Sequence, residues 1–98
     1  MKLFESIKVG NNTLKNKMVM APMTRSRANL DGIVGDATLL YYTQRASAGL
    51  IISEAINISK QAIGSPFTPG IYTDEQSTAW KKVTQAVHEK GGVIYAQL

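Results

Sequence analysis

The sequence contains no cysteine in its 98 residues, and this absence excludes disulfide bonds, thiolate metal sites and cysteine nucleophiles. Histidine occurs once, as His88, and no partner ligands stand at a suitable spacing, so we predict no metal site. No apolar run approaches the roughly 18 residues that a membrane span needs. Glu5 comes before any apolar core of a signal peptide could form. We therefore expect a soluble, cytoplasmic protein with no membrane partner.

The chain carries an excess of positive charge, with a formal net charge of +4. Its lysines are scattered along the sequence, whereas a nucleic-acid footprint is a clustered patch or stripe. We therefore predict no nucleic-acid partner. A hydrophobic fraction of 44% and a charged fraction of 18% are typical of a globular protein. The length suffices for one small domain with a core.

Apolar runs alternate with amphipathic segments along the chain, and this order is typical of an α/β fold. We predict a β-hairpin over residues 4–15, buried strands over 17–20, 50–53 and 93–96, a helix from Asp36 or Thr38 to Ala48, and a helix from Thr73 to Lys90. Gly49 is expected to end the first helix in the left-handed conformation, and Thr73 with Gln76 predicts a capping box for the second. Helices that connect successive strands indicate a parallel sheet. The alternation alone leaves open whether this sheet is flat and open or part of a barrel.

The last predicted strand reaches the end of the sequence at Leu98. A parallel strand in that position would leave an open hydrophobic edge, which natural proteins avoid. We therefore expect residues 1–98 to be a fragment of a larger domain, or to associate with other copies or with a remaining segment of that domain.

Polar residues follow the apolar strands at their predicted carboxyl ends. Thr24 offers a hydroxyl, and Gln97 offers an amide that suits a ring with adjacent N–H and C=O groups. Their neighbours are small, flexible or fixed in φ, so that a flat ring can lie against the backbone: Ala21, Pro22, Met23 and Ala55. None of these groups is a strong acid, base or nucleophile, so we predict a site that binds a planar heterocycle and leaves the chemistry to it. Alternatively, Thr24 and Gln97 satisfy backbone groups where the strands end.

Several motifs stand along the chain: Ala21-Pro22-Met23-Thr24-Arg25-Ser26-Arg27, Tyr41-Tyr42-x-Gln44-Arg45-Ala46, Gly49-Leu50-Ile51-Ile52-Ser53-Glu54-Ala55, Pro69-Gly70-Ile71-Tyr72, Trp80-Lys81-Lys82-Val83 and Gln97-Leu98. Together they resemble the Old Yellow Enzyme family of flavin-dependent ene-reductases. The resemblance implies a (β/α)8 TIM barrel, of which residues 1–98 supply the first three β/α units, with the N-terminal hairpin as a lid across the bottom. It also implies FMN as the cofactor, NADPH or NADH as the reductant, and an enone, maleimide or nitro compound as the substrate.

The same resemblance assigns flavin contacts, and no catalytic residue, to this chain. Ala21, Pro22 and Met23 would line the flavin ring, and Thr24 would donate a hydrogen bond to its C4 carbonyl. The main chain of Ala55 would contact the N5/C4 edge of the ring, and Gln97 would pair with its pyrimidine edge. The groups that bind the substrate carbonyl, donate the proton and hold the FMN phosphate are expected beyond Leu98. Many members have a tyrosine after the glycine at position 64, where this chain has Ser65, so an aromatic wall of the substrate pocket is either absent or provided by Phe67.

Other conspicuous residues receive structural interpretations. Glu54 is expected to pair with a nearby arginine, and Arg25 and Arg27 to form ion pairs at the barrel rim, with phosphate binding as the alternative. Tyr42 and Trp80 are expected in the core, and His88 on a solvated helix face. The sequence leaves two other functions open: a non-catalytic partial barrel that associates through its sheet edges, and a flavin-free barrel that handles phosphorylated metabolites.

Overall fold

The structure is a computed structural model that describes residues 2–98 as two small β-sheets and two α-helices. The strands and helices are β1 (Ile7–Val9), β2 (Asn12–Leu14), β3 (Val19–Met20), α1 (Asp36–Gln44), β4 (Leu50–Ala55), α2 (Asp74–Glu89) and β5 (Ile94–Gln97). Short 3₁₀ turns cover Lys2–Phe4 and Lys60–Ala62. The larger sheet has the order β3-β4-β5 with all strands parallel, which confirms the predicted parallel sheet. Neither helix of residues 2–98 has the length and hydropathy that a bilayer crossing requires.

The predicted hairpin is confirmed as the antiparallel pair of β1 and β2. Val9 pairs with Asn12, so Gly10 and Asn11 form the turn, and Gly10 has a φ of +58° that suits glycine. The Asn12 side-chain amide donates to the Tyr95 hydroxyl at 3.0 Å, which ties the hairpin to β5.

Lys15 fixes the hairpin to the end of the domain where both helices finish. Its Nζ donates to the carbonyl oxygen of Ala46 at 2.7 Å and to that of Lys90 at 3.3 Å. Carbonyl groups at helix ends carry partial negative charge, so a lysine is favoured there. The hairpin therefore lies at the amino ends of the parallel strands, which leaves their carboxyl ends uncovered by it.

The core lies between the sheet and the two helices. Tyr42 from α1 and Trp80 from α2 are buried with their ring centroids 6.0 Å apart, as predicted for both. Ile51 of β4 is fully buried against them. The capping box of α2 is also confirmed, because the Thr73 hydroxyl accepts from the Gln76 backbone N–H at 3.1 Å and the Gln76 side chain returns a bond to the Thr73 N–H.

Helix α1 differs from its prediction at both ends. Its N-cap is Gly35, which offers no side-chain bond, so neither Asp36 nor Thr38 caps the helix. The helix ends at Gln44, and single turns carry the chain on through Ala48. The prediction that Gly49 adopts a left-handed conformation is wrong, since its φ is not among the positive values of residues 2–98.

Glycine is needed at position 49 for a different reason. A Cβ there would overlap the carbonyl oxygen of Asn16 and would lie 2.8 Å from its carbonyl carbon. The chain between the hairpin and β3 therefore passes directly against the start of β4, which only a residue without a side chain allows.

The first strand of the parallel sheet is shorter and more exposed than predicted. Regular pairing covers only Val19–Met20, and Val19 is 52% exposed. Its side chain lies on the sheet face away from the helices, whereas Met20 packs against the core. The two later strands are confirmed with small shifts, to residues 50–55 and 94–97.

Candidate functional site

The carboxyl ends of the three parallel strands bring the predicted site residues to one edge of the sheet. Ala55 ends β4, Gln97 ends β5, and these two residues are register partners. The segment from Ala21 to Thr24 follows β3 directly. All six predicted residues are exposed there: Ala21, Pro22, Met23, Thr24, Ala55 and Gln97. Such an edge is where parallel α/β proteins bind their ligands.

A β-bulge in β4 decides which way Ala55 faces. Ile52 pairs with Tyr95 and Ala55 pairs with Gln97, so two residues of β4 lie opposite one residue of β5. The two bulged residues, Ser53 and Glu54, are 1% and 2% exposed on the side of the helices. Strict alternation would place Ala55 on the same face as Ser53. The bulge instead turns Ala55 to the exposed face.

The Tyr42 hydroxyl holds Glu54 at two points. It donates to the Glu54 carboxylate oxygen Oε2 at 2.9 Å and accepts from the Glu54 backbone N–H at 2.8 Å. Burial raises the pKa of the Glu54 carboxyl, although the Tyr42 hydrogen bond and the neighbouring Arg25 act in the opposite direction. Burial also raises the pKa of the Tyr42 hydroxyl, so this group remains a donor at neutral pH.

The Ser53 hydroxyl holds the other side of the bulge. It donates to the Glu54 carbonyl oxygen at 2.8 Å and accepts from the Gln97 backbone N–H at 3.1 Å. The ladder resumes directly afterwards, where the Ile56 N–H donates to the Gln97 carbonyl oxygen at 2.8 Å. One serine therefore links the bulge of β4 to the last residue of β5.

Within residues 2–98, the arginines do not form the ion pairs that the sequence predicted. The Glu54 carboxylate accepts from the Tyr42 hydroxyl, and Arg25 lies near enough to lower the pKa of this carboxyl without forming an ion pair with it. The Arg25 and Arg45 guanidiniums lie over the Tyr41 ring, with their central carbons 4.7 and 3.9 Å from its centroid. The Arg27 guanidinium donates to the backbone carbonyl oxygens of the two preceding residues, Arg25 and Ser26. Cation–π contacts with an aromatic ring thus replace charge pairing at this rim.

The loops that follow β3 and β4 are tied together by backbone hydrogen bonds. The Ala28 N–H donates to the Phe67 carbonyl oxygen at 3.0 Å, and the Gly70 N–H donates to that of Gly32 at 2.9 Å. Ser26 and Phe67 both have positive φ angles, of 52° and 57°. Non-glycine residues in the left-handed conformation cost free energy, and they occur most often at functional sites. Phe67, the predicted aromatic wall, is 47% exposed in this loop.

The exposed edge fits a planar heterocycle with hydrogen-bonding groups. Within residues 2–98, neither the Thr24 hydroxyl nor the Gln97 side-chain amide has a hydrogen-bond partner, and the Gln97 backbone is satisfied by Ser53 instead. The alternative interpretation is therefore wrong within these residues, because neither side chain bonds to a backbone group at a strand end. The sequence prediction missed Tyr42 and Ser53 as supports. The signal that could have found them is Glu54, because a carboxylate within an apolar strand needs a buried partner.

Comparisons with known proteins agree with this geometry. The family model described as NADH:flavin oxidoreductase / NADH oxidase matches residues 2–98. The chain is 46% identical to 12-oxophytodienoate reductase 7 of Oryza sativa subsp. japonica over 97 residues, which are 98% of this chain and 24% of that protein.

Solved structures extend the likeness to three dimensions. The Old Yellow Enzyme homologue of Zymomonas mobilis matches with a TM-score of 0.96 and 52% identity, over 100% of this chain and 28% of that one. Morphinone reductase in complex with tetrahydroNAD matches with a TM-score of 0.95 and 53% identity, over 100% of this chain and 27% of that one. The chain therefore spans about a quarter of the length of these relatives. This likeness confirms the predicted fold, which is the beginning of a TIM barrel with an N-terminal hairpin.

Proposed function

The chain belongs to the NADH:flavin oxidoreductase / NADH oxidase family, and on that premise we propose that residues 1–98 are the N-terminal part of the flavin-binding barrel of an FMN-dependent ene-reductase. The proposed reaction is the reduction of an activated C=C bond, in an enone or maleimide, or the reduction of a nitro compound. The observation that carries the proposal is the exposed edge formed by the ends of β3, β4 and β5, with a hydroxyl and an amide that have no hydrogen-bond partner within residues 2–98. The partner that completes the barrel is the remaining segment of the domain.

The residues of this edge are proposed to bind and orient FMN. Ala21, Pro22 and Met23 are exposed beside the end of β3 and offer a nonpolar surface to the ring. Thr24 donates to the C4 carbonyl, which favours the extra charge of the reduced ring. FMN, when bound, supplies the relay of hydride from NADPH or NADH to the substrate.

The other two contacts come from β4 and β5. The Gln97 amide can donate and accept at once, and therefore pairs with the pyrimidine edge of the ring. Ala55 is small enough for its main chain to approach the N5/C4 edge. No residue of this chain is proposed as the proton donor or as the ligand of the substrate carbonyl.

The visible spectrum of the intact protein that carries this segment tests the proposal. We expect a bound flavin that bleaches when NADPH or NADH is added without oxygen, and that recovers its colour when an enone is added. The relative rates with NADPH and NADH decide the reductant. The cytoplasm is the proposed compartment because it holds these nicotinamides. A colourless preparation that stays free of flavin after incubation with FMN would exclude the function.

A Thr24→Val variant sharpens the test, because the two side chains have similar shapes and only the hydroxyl is lost. Loss of one hydrogen bond to the reduced ring is expected to lower the flavin potential by roughly 20–30 mV. Thr24→Ser keeps the hydroxyl and serves as the control. Equal potentials for both variants would remove Thr24 from the proposed contacts.

A second function is favoured by the exposed strand at the other side of the sheet. Met18 and Val19 are 48% and 52% exposed beside β3, and such an edge can pair with another chain. The 98-residue chain by itself would then be a non-catalytic partial barrel that associates with its own copies or with other barrel segments. Size-exclusion chromatography at several concentrations tests this function, and a monomer with a cooperative thermal transition would contradict it.

A further inference from the structure

The bulge in β4 interrupts the regular ladder where the proposed flavin contacts begin. Between the pair Ile52–Tyr95 and the pair Ala55–Gln97, β4 has one residue more than β5. The extra residue interrupts the regular spacing of the ladder bonds at this point. Buried backbone groups without a partner are costly, so something must satisfy them if the bulge is to persist.

Two hydroxyls bond to the backbone of the bulge, and both come from buried side chains. Tyr42 accepts from the Glu54 N–H, and Ser53 donates to the Glu54 carbonyl oxygen and accepts from the Gln97 N–H. Tyr42 is 0% exposed and Ser53 is 1% exposed, so water does not compete for these bonds. The hydroxyls lie behind the sheet, on the side of the helices, and not on the face that the ligand would approach.

We propose that Tyr42 and Ser53 are positioning residues, whose hydroxyls hold the β4 bulge so that Ala55 and Gln97 present their contacts to FMN together. The inference rests on the proposed flavin function and adds two residues that do not touch the ring. Without the bulge, alternation would turn Ala55 toward the helices and would bring the Glu54 side chain to the face where the ring binds. A carboxylate there would oppose the negative charge of the reduced flavin.

The carboxylate of Glu54 completes this arrangement. Because it also accepts from the Tyr42 hydroxyl, at 2.9 Å, the same hydroxyl fixes both the main chain and the side chain of the bulge. Glu54 is thereby held on the helix side and kept away from the ligand face.

The test uses the intact protein with Tyr42→Phe and Ser53→Ala, each of which removes one hydroxyl. The matched controls are Tyr41→Phe and Ser47→Ala, whose hydroxyls make no hydrogen bond within residues 2–98. Val83→Ala is a third control, because Val83 is buried in α2 and its loss lowers stability without touching the bulge.

Two measurements report on the bulge and on its consequence. Hydrogen exchange at the Glu54 and Gln97 amides, relative to the Ile51 amide of the same strand pair, reports whether the bulge is held. Ile51 donates to the Val93 carbonyl oxygen at 2.8 Å and is an internal reference. The dissociation constant and midpoint potential of FMN report whether the ring contacts are held.

We expect Tyr42→Phe to accelerate exchange at Glu54, and Ser53→Ala at Gln97, by about tenfold relative to Ile51, which corresponds to the loss of one hydrogen bond. Both variants should weaken FMN binding by about tenfold and lower its potential, whereas Val83→Ala should lower the melting temperature and leave the potential unchanged. The proposal is overturned if the two variants match their controls in FMN affinity and potential. If the wild-type protein binds no FMN, the flavin function fails, and the exchange ratios alone still show whether the hydroxyls hold the bulge.

Discussion

Gln76 offers the sharpest stability test, because one buried side chain joins three separate parts of the chain. It is 1% exposed at the start of α2. Its Oε1 accepts from the backbone N–H groups of Tyr72 and Thr73 at 2.8 and 3.1 Å. Its Nε2 donates to the carbonyl oxygen of Asp31 at 2.8 Å, across 45 residues of sequence. The loop that follows β3 is thereby fixed to the loop that follows β4.

Two substitutions separate the local bonds from the distant bond. Gln76→Met has a similar length and removes all three bonds, and at a net value of about 1 kcal/mol each the expected loss is about 3 kcal/mol. Gln76→Glu keeps the acceptor for Tyr72 and Thr73 and loses only the donor to Asp31. The expected loss at neutral pH is about 1–2 kcal/mol, because a carboxylate oxygen then faces a carbonyl oxygen.

The loss of stability caused by Gln76→Glu should depend on pH. Below the ordinary pKa of glutamate the introduced carboxyl is protonated and can again donate to the Asp31 carbonyl oxygen. Its penalty should therefore shrink as the pH falls, while that of Gln76→Met should not. Urea unfolding followed by circular dichroism at acidic and neutral pH measures both. Gln85 lies on the exposed face of the same helix, so Gln85→Met and Gln85→Glu are the controls. The reasoning is refuted if the Gln76 variants lose no more unfolding free energy than these controls, to within about 0.5 kcal/mol.

Three further predictions test other parts of the fold. Burial raises the pKa of the Glu54 carboxyl in the folded state, so its contribution to stability is present below the unfolded pKa and is lost as the pH rises through the folded pKa. The free energy of unfolding of the wild type, minus that of Glu54→Gln, should therefore fall as the pH rises, and urea titrations measure it. A difference that grows with pH would contradict the prediction. Gly49→Ala should cost about 1–3 kcal/mol in the same assay because its Cβ meets backbone, whereas Gly64→Ala, with open space around it, should cost little. Lys15→Met should lose about 1 kcal/mol through its bonds to the two helix ends, and an equal loss for Lys17→Met would show that these bonds contribute nothing.

The features that were predictable from the sequence depend on neighbours within a few residues. The capping box of Thr73 and Gln76 spans three positions, and the turn at Gly10 needs only one residue that tolerates positive φ. The parallel sheet follows from the order of strands and helices, each of which has its own pattern. The polar residues after the apolar runs predict that Thr24, Ala55 and Gln97 lie together at the strand ends, and the structure brings them to one edge, while their contacts with a flavin stay a prediction.

The features that the sequence did not predict depend on contacts between distant segments. Glycine is required at position 49 because the backbone of Asn16 passes against it. Helix α1 ends at Gln44, where the sequence has no capping pattern. The exposure of Val19 depends on which side of the sheet the helices cover. The Arg25 guanidinium lies over the Tyr41 ring, a contact that the spacing of charges does not indicate.

The bulge was invisible in the sequence because its residues fit a regular strand equally well. Ser53 and Glu54 read as the polar end of an apolar run, which is how a strand end that meets a ligand also reads. In the structure both are buried, and the polar groups that face outward come from Thr24 and Gln97. Two kinds of polar residue therefore share this edge. Those behind the sheet satisfy its backbone, and those in front of it have no side-chain hydrogen bond within residues 2–98. A polar strand end thus indicates a binding edge only after the backbone groups of that edge have been matched to their own partners.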